Sequence, residues 1–169
     1  ENRIRVEGLF RVSPNYKELE QLKALYVDPA EMIVLENQTN NPHNVAGLMK
    51  AWFAQLRDPL FSFDLYQPLI DVFQSTQNEA FLVNFFQKVF RRIPEERSCI
   101  IMMLFDFFHL LVTNEEYNKM SAHNVGIVFG PNILRPEVLD MQALINSDSA
   151  RVVEFILLHY DVIFTKLAE

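Results

Sequence analysis

Apolar residues recur three and four positions apart through nearly every long segment of this chain, and that period constrains its fold more than any other feature. Val45, Leu48, Met49, Trp52, Phe53 and Leu56 form one stripe, with Pro42 where a helix can begin and Pro59 beyond its end. Leu82, Phe85, Phe86, Val89 and Phe90 form a second, and Val153, Ile156, Leu157, Tyr160, Phe164 and Leu167 a third. Residues 94–113 are apolar almost all round, with Asp106, His109 and Thr113 the polar residues on the central turns. That pattern predicts a hub helix covered on most sides. Asn15 and Glu18 form a capping pair ahead of Leu19, Leu22 and Tyr26, and Ser121 predicts the cap of a short helix through Val128. Residues 27–41 and 131–149 read as longer connections. No strand-like alternation persists, and four glycines in 169 residues are too few for a turn-rich β fold or a glycine-based phosphate loop. The expectation is an all-α bundle in one domain.

Composition narrows the function. The chain is 50% hydrophobic and 22% charged, which supports a large core and excludes a disordered protein. A net charge of −7 argues against sequence-independent binding of nucleic acid, which needs a basic surface. The single cysteine, Cys99, excludes an internal disulfide and makes a reducing, cytoplasmic setting the default. The most apolar run, 99–112, is interrupted by Asp106 and His109 and is shorter than the ~20 residues that cross a bilayer. Neither an integral membrane segment nor a signal peptide is predicted.

Catalytic patterns are sparse. His43, His109, His123 and His159 are widely spaced, without the pairing or Cys/His clustering of a metal site, so no metal is expected. Cys99, within the most apolar stretch, reads as a buried small hydrophobe. Asp106 and His109 lie one helical turn apart and form either an acid–base pair or, the favoured reading, a polar stripe at a helix rim. Two places hold more information. Opposite the stripe of the helix over 43–56 lie His43, Ala46, Gly47, Lys50 and Ala54, a face of small residues that lets another backbone or a partner come close, with a lysine pointing at it. In Gly126-Ile127-Val128-Phe129-Gly130-Pro131-Asn132, glycine and proline are predicted to end a helix and hold Asn132 at a fixed turn.

Together with the start of the chain, these places resemble a known family. Glu7-Gly8-Leu9-Phe10-Arg11-Val12-Ser13 is similar to the arginine-finger loop of GTPase-activating domains for Rho-family small GTPases, the RhoGAP domains. His43-Asn44-Val45-Ala46-Gly47-Leu48-Met49-Lys50 is similar to the family's second signature. Asn118-Lys119-Met120 through Asn124 to Phe129-Gly130-Pro131-Asn132 is similar to the third. The motifs stand in the family's order, with Pro94-Glu95-Glu96-Arg97 opening the hub helix and Tyr160-Asp161-Val162-Ile163-Phe164 near the end. The resemblance covers roughly residues 4–164.

It implies a helical bundle of the RhoGAP type over 1–169, without the helical segment that the family has ahead of the finger loop. It also implies a protein that stimulates GTP hydrolysis by a Rho- or Rac-type GTPase, with no catalytic activity of its own. Arg11 becomes the finger, and Lys50, Asn132 and Asn124 contact the GTPase, Asn124 either directly or by bracing its loop. No cofactor is implied, since GTP and Mg²⁺ belong to the partner, and no homo-oligomer. Membrane recruitment is left to regions outside this sequence. Three departures stand out. Ala54 replaces the family's usual arginine one turn after the lysine. Arg57 replaces a common proline and sits where, at helical spacing, it reaches back to support the finger. Pro14 replaces a common glycine and stiffens the loop behind Arg11. The alternatives are a GTPase-binding module or a helical scaffold, both without stimulation of hydrolysis.

Overall fold

Short polar side chains start the helices. In the computed structural model, which describes residues 3–26, 33–138 and 147–165, Asn15 accepts a hydrogen bond from Glu18 N–H at the head of α1 (Tyr16–Leu25). Asn41 does the same for His43 at α2 (Pro42–Gln55) and Asn78 for Phe81 at α4 (Glu79–Phe90). Ser121 caps α7 (Ala122–Ile133) through Asn124 N–H. Each cap satisfies a backbone donor that the helix itself leaves open. The remaining helices are α3 (Phe63–Ser75), α5 (Glu95–Val112), α6 (Glu115–Asn118), α8 (Asp148–Leu158) and α9 (Tyr160–Thr165). Among the described residues the regular elements are all helical, as predicted, and no helix is long and apolar enough to cross a membrane.

The tightest packing runs between α7 and α8. It depends on two glycines: a Cβ at Gly130 would sit 2.7 Å from the Ala150 nitrogen, and one at Gly126 would collide with the Ala150 carbonyl. Gly126 and Gly130 are therefore close-approach residues on one helical face rather than terminators. The helix does not end at Gly-Pro as the sequence suggests; it continues through Pro131 to Ile133, and Asn132 lies on its last turn. Phe108 and Phe129, both fully buried with ring centroids 4.4 Å apart, join α5 to α7 in the core.

Further sequence expectations need correction. α3 was not anticipated: Leu69, Ile70 and Phe73 bury a short stripe, and Pro68, exposed within the helix, obscures it in the sequence. The apolar helix over 94–113 is no covered hub. Ile101, Leu104, Phe105, Phe108 and Leu111 are buried, but Cys99, Ile100, Met103, Asp106 and Leu110 face outward, so Cys99 is exposed rather than a core thiol. Composition records how apolar a helix is, not which side its neighbours cover. The last stripe is split at His159 into α8 and α9, and Leu167 lies outside the described residues, as do 27–32 and 139–146 of the two connections. Asp106 and His109 both serve Tyr160: its hydroxyl donates to Asp106, and the His109 ring stacks on it at 4.3 Å, tying α9 to α5.

Two consequences are measurable. Gly130→Ala forces a methyl group against the α8 backbone and is expected to cost about 1–3 kcal/mol, read as a lowered denaturation midpoint; an unchanged midpoint would show that the two helices tolerate separation. Burial, then the hydrogen bond that the hydroxyl donates to Asp106 and the charges of Asp106 and Asp161, push the Tyr160 hydroxyl up to about 12. The folded state keeps this proton where the unfolded chain loses it, near about pH 10, so the contribution is complete below about 10 and is lost as pH rises toward 12. Urea titrations across that window should show a shallower loss of stability in Tyr160→Phe than in the parent, and equal slopes would refute the assignment.

Candidate functional site

Residues 7–13 reverse direction in a tight loop whose two key positions adopt left-handed backbone. Gly8 has φ +69°, and a Cβ there would meet Val12 Cγ2 at 2.8 Å. Its N–H donates to the Asn118 carbonyl at 2.8 Å, and its own carbonyl accepts from Arg11 N–H (2.9 Å) and Val12 N–H (2.8 Å). Phe10 is also left-handed, with φ 69°. For a bulky residue that conformation costs roughly 1–2 kcal/mol. Burial of the ring, worth about 1.5–3 kcal/mol, outweighs it: Phe10 is 3% exposed, edge-on to Phe129 at 5.1 Å and Phe107 at 5.7 Å. Leu9 is buried beside it, and the chain turns outward at the next residue. Arg11 is exposed, and its guanidinium has no hydrogen-bond or ion-pair partner among the described residues.

Asn118 fixes the entry to this loop. It is fully buried, and its amide donates to the Ile4 carbonyl (3.0 Å) and the Leu111 carbonyl (2.9 Å) while accepting from Met120 N–H (2.8 Å). Lys50 reaches across from α2, and its Nζ donates to the Phe10 carbonyl at 2.6 Å. The ammonium is half-buried, without a carboxylate partner among the described residues, and burial lowers its pKa below the ordinary lysine value. An unneutralised positive charge therefore stands beside Arg11.

These groups border an open hollow of about 470 Å³. Phe10 and Arg11 form one wall, Lys50, Ala51 and Ala54 of α2 the second, and Ile127, Val128 and Asn132 of α7 the third. Of the residues singled out in the sequence, Arg11, Lys50 and Asn132 come together here. Asn132 is braced by donation from Nδ2 to the Val128 carbonyl at 2.8 Å. Asn124 does not line the hollow; its amide donates to the carbonyl of Lys119, which bracing of the loop requires. Nor does Arg57. The reach-back assumed helical spacing past Leu56, but α2 ends at Gln55 and Leu56 is extended at ψ 132°, which carries Arg57 off the stripe into solvent. The small-residue face of α2 does receive a close neighbour, though a side chain and not a backbone: Ala46 and Gly47 are buried, and the Pro14 ring of this same chain packs on Gly47. Sequence reading missed Ile127 as a wall residue, since its apolar side chain looked like core; it is 52% exposed. Among the described residues no group of three or more His, Cys, Asp or Glu is placed to hold a metal ion.

Comparison with known proteins bears on the family and the fold. A family model described as the RhoGAP domain matches residues 1–138. Rho GTPase-activating protein gacR of Dictyostelium discoideum is 30% identical over 168 residues, covering 97% of this chain and 21% of that protein. Human Rho GTPase-activating protein 45 is 27% identical, covering 98% of this chain and 17% of that protein. The chain thus spans about a fifth of the length of the curated relatives it matches. The crystal structure of human Rho GTPase activating protein 15 superposes with a TM-score of 0.86 at 26% identity, covering 95% of this chain and 76% of that one. The BH domain of GRAF, the GTPase regulator associated with focal adhesion kinase, shares the fold at a TM-score of 0.80 and 23% identity, covering 96% of this chain and 86% of that one.

Lys50 offers a direct check on the site's electrostatics. Carbon-13 spectra of lysine-labelled protein should give Lys50 a titration midpoint below the ordinary value of about 10.4. Lys50→Met identifies the resonance, and a midpoint at or above that value would place the ammonium in open solvent.

Proposed function

We propose that this chain, which belongs to the RhoGAP domain family, stimulates GTP hydrolysis by a Rho- or Rac-type small GTPase by lending Arg11 to the partner's active site. One observation carries the reading: a guanidinium without a partner among the described residues projects from a core-anchored loop at the rim of an open hollow. A small GTPase alone leaves charge developing on the transferred phosphoryl group poorly compensated. A guanidinium stays charged at any physiological pH and forks across two oxygens, and fingers of this kind contribute ~10³ to 10⁵ in rate. The anchored loop pays the ordering cost in advance, so the arginine arrives nearly oriented. Lys50 and Asn132 face the same hollow and hold the complex, while Asn124 acts behind it through the Lys119 loop. The domain makes and breaks no bonds itself, and GTP and Mg²⁺ stay with the GTPase.

A second reading, a GTPase-binding module without stimulation, draws support from Ala51 and Ala54, which leave the α2 wall without a second arginine. Single-turnover hydrolysis across Rho, Rac and Ras GTPases distinguishes the two. The parent should accelerate a Rho or Rac partner, and Arg11→Ala should lose at least ~10²-fold at saturation with an unchanged melting temperature. GDP with aluminium fluoride should tighten the complex relative to GDP alone, and Arg11→Ala should forfeit most of that increment. Binding that is indifferent to the fluoride with every partner would leave only the second reading.

A further inference from the structure

The exit limb of the finger loop is fastened by residues that the reading above leaves unused. Pro14 packs on α2 where a Cβ at Gly47 would sit 2.5 Å from Pro14 Cγ. One residue on, Asn15 N–H donates at 2.9 Å to Oδ1 of Asn44. Asn44 is fully buried. Its amide nitrogen donates to the Glu18 carboxylate and reaches Thr39 Oγ1 at 3.5 Å. Glu18 therefore does not close the usual reciprocal capping box with Asn15 N–H. That donor goes to α2 instead, and the first turn of α1 is locked to the loop exit through one buried amide.

We propose that Asn44 is a positioning residue for Arg11, acting through Asn15 N–H; the proposal rests on the catalytic reading of Arg11. At the entry, Phe10 is buried and its carbonyl is held by Lys50; at the exit, Pro14 and Asn15 are held by Gly47 and Asn44. Only Arg11, Val12 and Ser13, all exposed, lie between the two anchored ends. A loop pinned at both ends has few conformers, and releasing one end multiplies them. The fraction of time the guanidinium spends in productive geometry then falls. Ground-state contacts of Lys50 and Asn132 remain, so the loss belongs to the rate at saturation and not to affinity. In a chain with Ala54 on the α2 wall, this fastening of the exit adds to the hold that Phe10 and Lys50 give the entry.

Asn44→Ala should lower the saturating stimulated rate about tenfold or more, with affinity for GTPase loaded with a non-hydrolysable nucleotide unchanged within about twofold. Asn44→Asp keeps the acceptor for Asn15 N–H but sets a second carboxylate beside Glu18; it should recover most of the rate while melting lower than the parent. A purely structural asparagine gives the opposite order, with rate following stability in both variants, and that result overturns the proposal. Hydrogen exchange of the free protein reads the same strap without any GTPase: the Asn15 amide should exchange at least tenfold faster in Asn44→Ala than in the parent, and equal exchange overturns the proposal as well. If the parent stimulates no GTPase, the catalytic reading falls and takes the positioning role with it. If the parent is active, Arg11→Ala is not, and Asn44→Ala matches the parent, the positioning role alone falls.

Discussion

Phe10 is a core residue placed in a surface loop, and the site is organised by that placement. Its ring lies among Phe107 of α5 and Phe129 of α7, so the loop cannot lift without opening the aromatic core. The left-handed backbone at Phe10 is unfavourable by itself and persists because burial of the ring outweighs it. Leu9 and Phe10 both point into the core, and the chain turns outward at Arg11. The position of Arg11 is thus set by the packing of Phe10 and by its own N–H bond to the Gly8 carbonyl, with no partner for its guanidinium among the described residues.

Helix α7 carries this arrangement across the molecule. Phe129 touches Phe10 on one side, while Gly126 and Gly130 let α8 approach on another. The same helix presents Ile127, Val128 and Asn132 to the hollow. Its position relative to α2 sets the width of the hollow, and its position relative to α8 sets where it can sit. A small disturbance between α7 and α8, far from Arg11, would therefore move a wall of the site. Helix α2 plays the complementary part: Lys50 holds the loop entry at the Phe10 carbonyl and Gly47 receives the exit at Pro14.

Much of this was legible because the relevant signals are local. Helical spacing, capping side chains and the shortage of glycine are properties of neighbouring residues, and they predicted the helical class and most of the helices. The runs around Lys50 and Asn132 stood out by themselves, whereas Arg11 was singled out only through the resemblance to the RhoGAP family. Where the reading failed, the deciding partner was distant in sequence. Pro131 looks like a stop signal, yet α7 passes through it. Arg57 had the right spacing for a continuing helix, but the helix ended two residues earlier. Cys99 sits in an apolar run whose exposed side cannot be identified from the run itself.

The sequence by itself determined an all-helical chain and the caps at Asn15 and Ser121, and its resemblance to the RhoGAP family picked out the Arg11 loop with the lysine and asparagine signatures. The helical class and the caps follow from hydrophobic period and backbone capping, which act over a few residues. Tertiary structure alone decided which faces are covered, that Phe10 fills the core while the Arg11 guanidinium has no partner among the described residues, and that Asn44 and Gly47 receive the loop exit. Each of these depends on two or more segments meeting across the chain, such as Asn118 with Gly8, Lys50 with Phe10 and Asn44 with Asn15. The energy of such a contact exists only once the bundle has closed, so no local pattern encodes it.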